Sequence, residues 1–190
     1  MKKIKLIVTV IAIFLTVNAI GQVPEKYISS KTHIKFFSTT PVEDIEANNY
    51  ASVSTITPST GVVVFSVPMQ SFEFEKALMQ KHFNNEHFLE TNIYPKSKFK
   101  GTITNLDEID FEKDGVYKAE IEGTLTIRDI TKPIKEPGTI EVKGNALSVN
   151  STLNITLADF GIAFDEGEMV SKKISKTIEI TVVGEYNTQQ

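Results

Sequence analysis

The sequence predicts an all-β fold of about eight antiparallel strands, and three observations support this. Long stretches alternate between apolar and polar residues, which places apolar side chains on one face of a strand. Two pairs typical of tight hairpin turns, Asp114-Gly115 and Gly144-Asn145, lie between such stretches. Helical periodicity is confined to one short segment. The 190 residues, 41% of them hydrophobic, suffice for a single domain with a core of its own.

The chain begins with a segment typical of a secretory signal peptide. Three lysines among the first five residues precede an apolar run over residues 6–17, and small residues follow. A retained membrane anchor is the alternative, but the run is shorter than the ~20 residues of a spanning helix. We therefore expect residues 1–21 to be a signal peptide, cleaved after Ala19 or Gly21, and residues 22–190 to form a periplasmic or secreted domain.

Three short strands and a helix are predicted next. Alternation predicts the strands at residues 34–39, 51–56 and 62–67. The helix is expected over about residues 73–84, with Ser71 as its N-cap and Lys81 in its last turn, where a cation suits the helix dipole. The helix would cross one end of the strands. Its apolar face would carry four side chains, Leu78, Met79, His82 and Phe83.

The remaining strands include the clearest alternation in the chain. They are predicted at residues 98–104, 117–127, 139–143, 147–157 and 178–182. In the strand over residues 117–127, a register slip of one residue would bury Lys118, Glu120 and Glu122, at a cost that the strand could not recover.

The same parity assigns the end of that strand. Leu125 and Ile127 are expected to face the interior, Thr124 and Thr126 the solvent, and Pro133 to follow the end of the strand.

Charge and cysteine content limit the partners. The chain has 24 acidic and 20 basic side chains, and loss of three N-terminal lysines would leave 24 against 17. This acidic balance argues against a nucleic-acid partner. The sequence contains no cysteine, so the exported domain must rely on its core without disulfides.

Amphipathic strands with so little helix must bury their apolar faces against one another. A two-sheet sandwich and a closed barrel both achieve this, and periodicity does not separate them. A sandwich has a solid core, whereas an eight-stranded barrel is filled by side chains or holds one small ligand.

Three segments in order resemble the YceI-like family. They are the strand and Thr-Lys-Pro segment at residues 123–134 (GTLTIRDITKPI), the helix and Tyr-Pro segment at residues 71–101, and LADFGI at residues 157–162. Asp129-Ile130 stands where many members have Gly-Val, so the chain resembles a divergent branch. The resemblance implies an eight-stranded antiparallel lipocalin-like barrel that holds a polyisoprenoid or similar long apolar molecule in its cavity, as an exported, non-catalytic carrier or store.

The expected cavity lining follows from strand parity. Plain core packing is the alternative for each of the eight residues, which are Phe36, Ile121, Leu125, Ile127, Leu153, Ile155, Ile178 and Ile180. Arg128, the only arginine, is a candidate contact for a lipid head group at the mouth of the barrel.

Catalytic and metal sites are not expected. His33, His82 and His87 lack the spacing of metal ligands, and the acidic run at residues 165–168 lacks the pattern of a calcium loop. No phosphate loop, nucleophile elbow or dinucleotide motif is present. We therefore expect no enzyme activity and no cofactor other than a bound isoprenoid lipid.

Two functional classes stay open at this stage. One is a lipid carrier or store; the other is a ligand-free barrel that acts as an interaction or stress-response module. A cavity within or above the ~300–1,000 Å³ of typical ligand sites would favour the first. A transient membrane contact and a homodimer also stay open.

Overall fold

The computed structural model describes residues 25–162 and 172–188. The predicted signal peptide at residues 1–21 and the acidic run at residues 165–168 lie outside the described residues. Strands account for most of the described chain. They are β1 (Tyr27–Thr39), β2 (Asp44–Thr57), β3 (Val62–Pro68), β4 (Glu73–Phe74), β5 (Lys96–Ile103), β6 (Gly115–Ile127), β7 (Ile130–Lys143), β8 (Ala146–Thr156) and β9 (Thr177–Thr188), with helix α1 (Ala77–Asn84) between β4 and β5.

Eight long strands form a closed antiparallel barrel. The order of hydrogen-bonded neighbours is β1-β9-β8-β7-β6-β5-β3-β2, and β2 returns to pair with β1. The predicted fold class is therefore confirmed. Closure explains how a chain with so little helix buries its apolar faces, because each strand turns that face toward the common interior.

The helix begins later than predicted. Residues 73–74 form β4, which pairs with Ala47 and Asn48 of β2. Because β3 pairs with β2 only over Val53–Thr57, the first half of β2 has a free edge that β4 partly covers. The N-cap of α1 is Lys76, and its side chain makes no capping hydrogen bond. Ser71 lies in a 3-10 turn, so its prediction as the N-cap was wrong.

The turns between β6, β7 and β8 differ in part from the prediction. Arg128 and Asp129 join β6 to β7 with φ angles of +50° and +61°, as in a type I′ turn. Pro133 follows the end of β6 as expected but lies inside β7, opposite Thr124. Gly144-Asn145 is the predicted two-residue hairpin. The prediction for Asp114-Gly115 was wrong, because residues 104–114 all separate β5 from β6.

The barrel wall is incompletely paired between β7 and β8. Their pairing begins at Gly138 and Ser151, so residues 130–137 of β7 pair with β6 alone, and residues 152–156 of β8 pair with β9 alone. We call these two unpaired stretches the seam. Among the described residues, the seam edges form no ladder with any further strand.

Two prolines of β7 lie along the unpaired stretch that faces β8. The Pro137 carbonyl accepts a hydrogen bond of 2.9 Å from the Ser151 hydroxyl, so it points toward β8. The N–H and C=O of a strand residue lie on the same side, and residues four apart share that side. Proline has no N–H. Pro133 and Pro137 therefore lack two of the donors that would face β8.

The two ends of the barrel are filled differently. At the end formed by the β2–β3 and β7–β8 turns, the Tyr27 and Phe111 rings stack with centroids 6.3 Å apart. Nearby, the Ser54 hydroxyl donates to the Tyr186 hydroxyl at 2.7 Å and also bonds Thr32. None of these five residues lines the apolar cavity of the barrel, which opens at the opposite end, beneath α1.

Candidate functional site

An elongated apolar cavity occupies the barrel interior and opens at the end covered by α1. Its volume is about 1040 Å³, at the upper limit of typical small-molecule sites. Side chains from every long strand line it, because each strand turns alternate residues inward. A solid core would leave few voids larger than a water molecule, so this volume is a distinct feature of the fold.

The structure brings all eight predicted lining residues together. Phe36, Ile121, Leu125, Ile127, Leu153, Ile155, Ile178 and Ile180 all face the cavity. Their contact with a ligand stays a prediction. Thr124 is exposed on the outer face, and the Thr126 and Thr131 hydroxyls bond each other there at 2.8 Å.

A cluster of phenylalanines forms the wall below α1. Phe83 of α1 is buried at its centre, with ring centroids 5.6 Å from Phe36, 5.4 Å from Phe72, 5.0 Å from Phe74 and 5.9 Å from Phe88. Phe36 and Phe83 were predicted from the sequence to face the interior, but the other three were not. Those three lie outside the long alternating stripes, and their aromatic character was the only available signal.

Two facing glycines leave room on the wall between β5 and β6. Gly101 pairs with Gly123, and both lie on the inward face. A Cβ atom on Gly101 would stand 2.6 Å from Cζ of Phe99 and 2.6 Å from the Glu122 carbonyl oxygen. Since neither glycine carries a side chain, the Phe99 ring packs directly over both of them.

The mouth carries a charged rim, defined here as Glu43, Lys76 and Lys173. All three line the opening of the cavity. Lys76 Nζ donates to Glu43 Oε1 at 2.8 Å, and Lys173 Nζ lies 3.8 Å from Glu43 Oε2. The Lys76 hydrogen bond lowers the pKa of Glu43, and the charges of both lysines act in the same direction. The rim was not predicted from the sequence because its members come from three distant segments.

Glu136 interrupts the apolar lining beside the seam. It lies on the inward face of β7, opposite Ile121, and lines the cavity. Glu136 was not predicted from the sequence, because the strand expected here covered only residues 139–143.

Arg128, the predicted head-group contact, has other partners. Its guanidinium donates to the Gly161 carbonyl at 3.2 Å, lies 3.8 Å from the Glu90 carboxylate and sits over the Tyr94 ring at 5.8 Å. It is not among the residues that line the cavity. These contacts tie the β6–β7 turn to two loops at the mouth end. A contact with a head group stays a prediction for this residue.

The histidines do not form a metal site within the described residues. Nε2 of His33 donates to Asn48 Oδ1 at 2.8 Å on the outer face, and its ring stacks on Tyr50 with centroids 4.5 Å apart. His82 and His87 lie at the cavity mouth. In residues 25–162 and 172–188, no cluster of three or more His, Asp or Glu side chains could hold a metal ion. Nor does that part of the chain contain a helix long and apolar enough to cross a membrane.

Comparison with solved structures identifies barrels of the same fold. A polyisoprenoid-binding domain from Saccharophagus degradans, implicated in plant cell wall breakdown, superimposes with a TM-score of 0.73 at 12% identity, over 87% of this chain and 99% of that one. BcnA from Burkholderia cenocepacia superimposes with a TM-score of 0.66 at 16% identity, over 82% and 96% of the two chains. At these identities the likeness establishes the fold alone.

Sequence comparison identifies the family. A UPF0312 protein of Pseudomonas putida strain W619 is 26% identical over 111 residues, which is 55% of this chain and 54% of the relative. The chain spans about half the length of the curated relatives it matches. The family model for the YceI-like domain matches residues 26–186, nearly the whole barrel. The chain therefore belongs to the YceI-like family.

Proposed function

We propose that this protein is an exported, non-catalytic lipid-binding protein that holds a polyisoprenoid or a similar long apolar molecule as a carrier or store. The observation that carries the proposal is the cavity of about 1040 Å³, whose lining is mostly aliphatic and aromatic. The polyisoprenoid-binding domain from Saccharophagus degradans, which has the same fold, supports this ligand class.

The energetics of an apolar tail are adequate for such a role. Burial contributes about 0.8 kcal/mol per methylene, so ~20 carbons would contribute roughly 16 kcal/mol. Association and ordering oppose this by about 4–15 kcal/mol. Net affinity therefore depends on how much of the tail is buried and on how the polar end is bound.

The ligand-free module is the alternative function. A barrel of that kind would stabilise itself by filling its interior with side chains. In this barrel, by contrast, about 1040 Å³ of the interior is left unfilled by side chains. The cavity therefore favours the carrier or store.

Organic extraction of the purified mature protein, followed by mass spectrometry, tests the proposal. We expect an apolar molecule with a long hydrocarbon chain in a near-stoichiometric amount. The same extraction on an unrelated exported protein from the same cells is the control. The proposal would be contradicted if the purified protein yields no such molecule and if the protein, once freed of lipid, takes up neither farnesol nor hexadecanol.

A further inference from the structure

We propose that the seam is a side opening of the barrel, through which a long hydrocarbon tail enters and leaves the cavity. The inference rests on the proposed function, since it concerns the route to the same cavity. The route is lateral, between β7 and β8, and not end-on beneath α1. It suits a flexible molecule that is long relative to its width, because an opening that runs along the strands admits the whole length of such a molecule.

The cavity reaches both edges of the seam. Four side chains of the seam line it, namely Ile134 and Glu136 of β7 and Leu153 and Ile155 of β8. Within the described residues, no backbone hydrogen bond joins the two edges. Along this stretch, side chains alone therefore separate the cavity from the outer surface in the part of the chain that the structure describes.

The seam is bounded at both ends, so it forms a slot in the wall. Toward the β7–β8 turn, ladder pairing resumes at Gly138 and Ser151. Toward the mouth, the Arg128 guanidinium of the β6–β7 turn donates to the Gly161 carbonyl, which follows β8, at 3.2 Å. The unpaired edge of β8 between these two closures spans roughly 17 Å, at ~3.4 Å per residue. A tail that lies along the strands therefore has room to pass between them.

Glu136 indicates that water reaches the cavity at the seam. Its side chain faces the cavity from the unpaired edge of β7. Among the described residues, its carboxylate has no ion pair and no hydrogen-bond partner. An ionised carboxylate in an apolar lining needs water where it lacks such partners. The seam offers the shortest path for that water, because Glu136 lies on the open edge itself.

End-on entry would disturb contacts that lateral entry avoids. A tail that entered at the mouth would slide along its full length past Phe83, which lies buried at the centre of the phenylalanine cluster. Lys76 also donates to Glu43 at 2.8 Å, which ties the start of α1 to the β1–β2 loop. Separation of the seam edges leaves these contacts intact and breaks no ladder hydrogen bond between described residues.

The first test compares the access of a water-soluble reagent to two inward positions at the same depth. Glu136 of β7 lies directly opposite Ile121 of β6, and both line the cavity. At this depth β6 is paired on both sides, whereas β7 is paired on one. Because the chain has no cysteine, Glu136→Cys and Ile121→Cys each introduce a single thiol. In lipid-free protein, we expect a charged methanethiosulfonate reagent to modify Glu136→Cys several-fold faster.

Unfolded protein provides the reference for these rates. Both variants are also modified in urea that unfolds them, where only the intrinsic reactivity of each thiol remains, and the folded rates are divided by these values. Equal ratios would overturn the side opening, because a reagent that enters only by the mouth reaches the same depth on β6 and β7 equally well.

The second test closes the seam chemically. Lys135 of β7 and Asn154 of β8 are exposed on the outer face of the two edges, so Lys135→Cys with Asn154→Cys can be bridged by a short bis-maleimide. The matched control is Lys135→Cys with Glu122→Cys, which bridges the same residue of β7 to its paired neighbour on β6. Exchange of bound radiolabelled hexadecanol for unlabelled hexadecanol is then timed with and without each bridge.

The seam bridge should act on the rates alone. We expect it to slow uptake and release of hexadecanol by the same factor, roughly tenfold or more, and to leave the Kd unchanged. The reason is that a bridge on the outer face blocks the path without touching the bound tail. The control bridge should change neither rate, because it joins two strands that are already hydrogen-bonded.

The outcomes separate this proposal from the one on which it rests. Unchanged exchange in the seam-bridged protein, or equal slowing by both bridges, would overturn the lateral route and leave lipid binding standing. A weaker Kd with an unchanged rate of uptake would also overturn the route, because the bridge would then act on the bound state. Failure of the lipid-free wild type to bind either hexadecanol or farnesol would overturn the proposed function, and the route with it.

Discussion

Ile127 distinguishes an open cavity from a packed core at the level of one side chain. It is 9% exposed and lines the cavity on β6, near the mouth. Ile127→Trp should lower the amount of bound lipid with a small change in the denaturant midpoint, because the ring would take space that the tail otherwise occupies. In a solid interior the same change would overpack the core and cost ~1–3 kcal/mol.

The control for this variant is Val116→Trp. Val116 lies on the outer face of the same strand and is 69% exposed, so its replacement should alter neither lipid content nor stability. Lipid content is measured by extraction and mass spectrometry, and stability by urea titration. Unchanged lipid content in Ile127→Trp with a large fall in midpoint would contradict the carrier function at this position.

The buried phenol of Tyr186 should make the free energy of unfolding fall in strong base. Burial raises its pKa to about 12 from the ordinary 10.0. A raised pKa means that the folded state favours the neutral phenol, so this contribution is fully present below pH 10 and is lost as pH rises toward 12. A shift of this size corresponds to roughly 3 kcal/mol.

Urea titrations at several pH values between 9 and 12 measure this effect. Tyr186→Phe should show a shallower decline than the wild type across that range, because the phenol is absent. Tyr117→Phe is the comparison, since its pKa is also raised but its hydroxyl is exposed. Equal slopes in the wild type and Tyr186→Phe would contradict the prediction.

The seam yields a prediction at the level of whole strands. If Pro133 and Pro137 stop the pairing of β7 with β8, replacing both by valine restores two donors that face β8. Backbone amides of residues 152–156 should then exchange more slowly with deuterium. The amides of residues 146–151, already paired with β7, provide the internal reference.

Amide hydrogen–deuterium exchange in the wild-type protein gives a second test of the seam. Residues 152–156 should exchange faster than residues 146–151, because only one of their edges is hydrogen-bonded within the described residues. Equal protection in the two stretches would show that the seam is covered in solution. Unchanged exchange in the double valine variant would show that the prolines are not the cause.

Alternation predicted the elements that form the barrel but not all of their limits. The stripe over residues 117–127 matched β6 because its apolar and charged faces never exchange sides. By contrast, β7 begins at Ile130 because β6 supplies a partner across a tight turn, even though Pro133 interrupts the local strand pattern. The start of α1 was missed for a related reason: the free edge of β2 holds residues 73–74 as a strand.

The residues of the candidate site also differ in how far the sequence predicted them. Inward parity placed the side chains of Leu125 and Ile155 at the cavity, because parity is a local property of each strand. The rim depends on the packing of three segments, which brings Glu43, Lys76 and Lys173 together only in the folded chain. No spacing between residues 43, 76 and 173 encodes that contact.

Export is a prediction about the whole molecule. The basic start, short apolar run and following small residues predict removal of about 19 to 21 residues. Intact-mass measurement of the protein from the periplasmic fraction or the medium should show this loss. A full-length product confined to the cytoplasm would contradict the prediction.

The seam also makes the barrel mechanically uneven. A barrel whose strands are hydrogen-bonded at every junction resists expansion in all directions. A barrel with one unpaired junction widens first at that junction. If the barrel holds a lipid tail as proposed, tails of different width would be accommodated by movement of two strand edges, without breaking the ladders that join β6 to β7 or β8 to β9. Such a barrel would tolerate ligands of different thickness while most of its wall stays rigid.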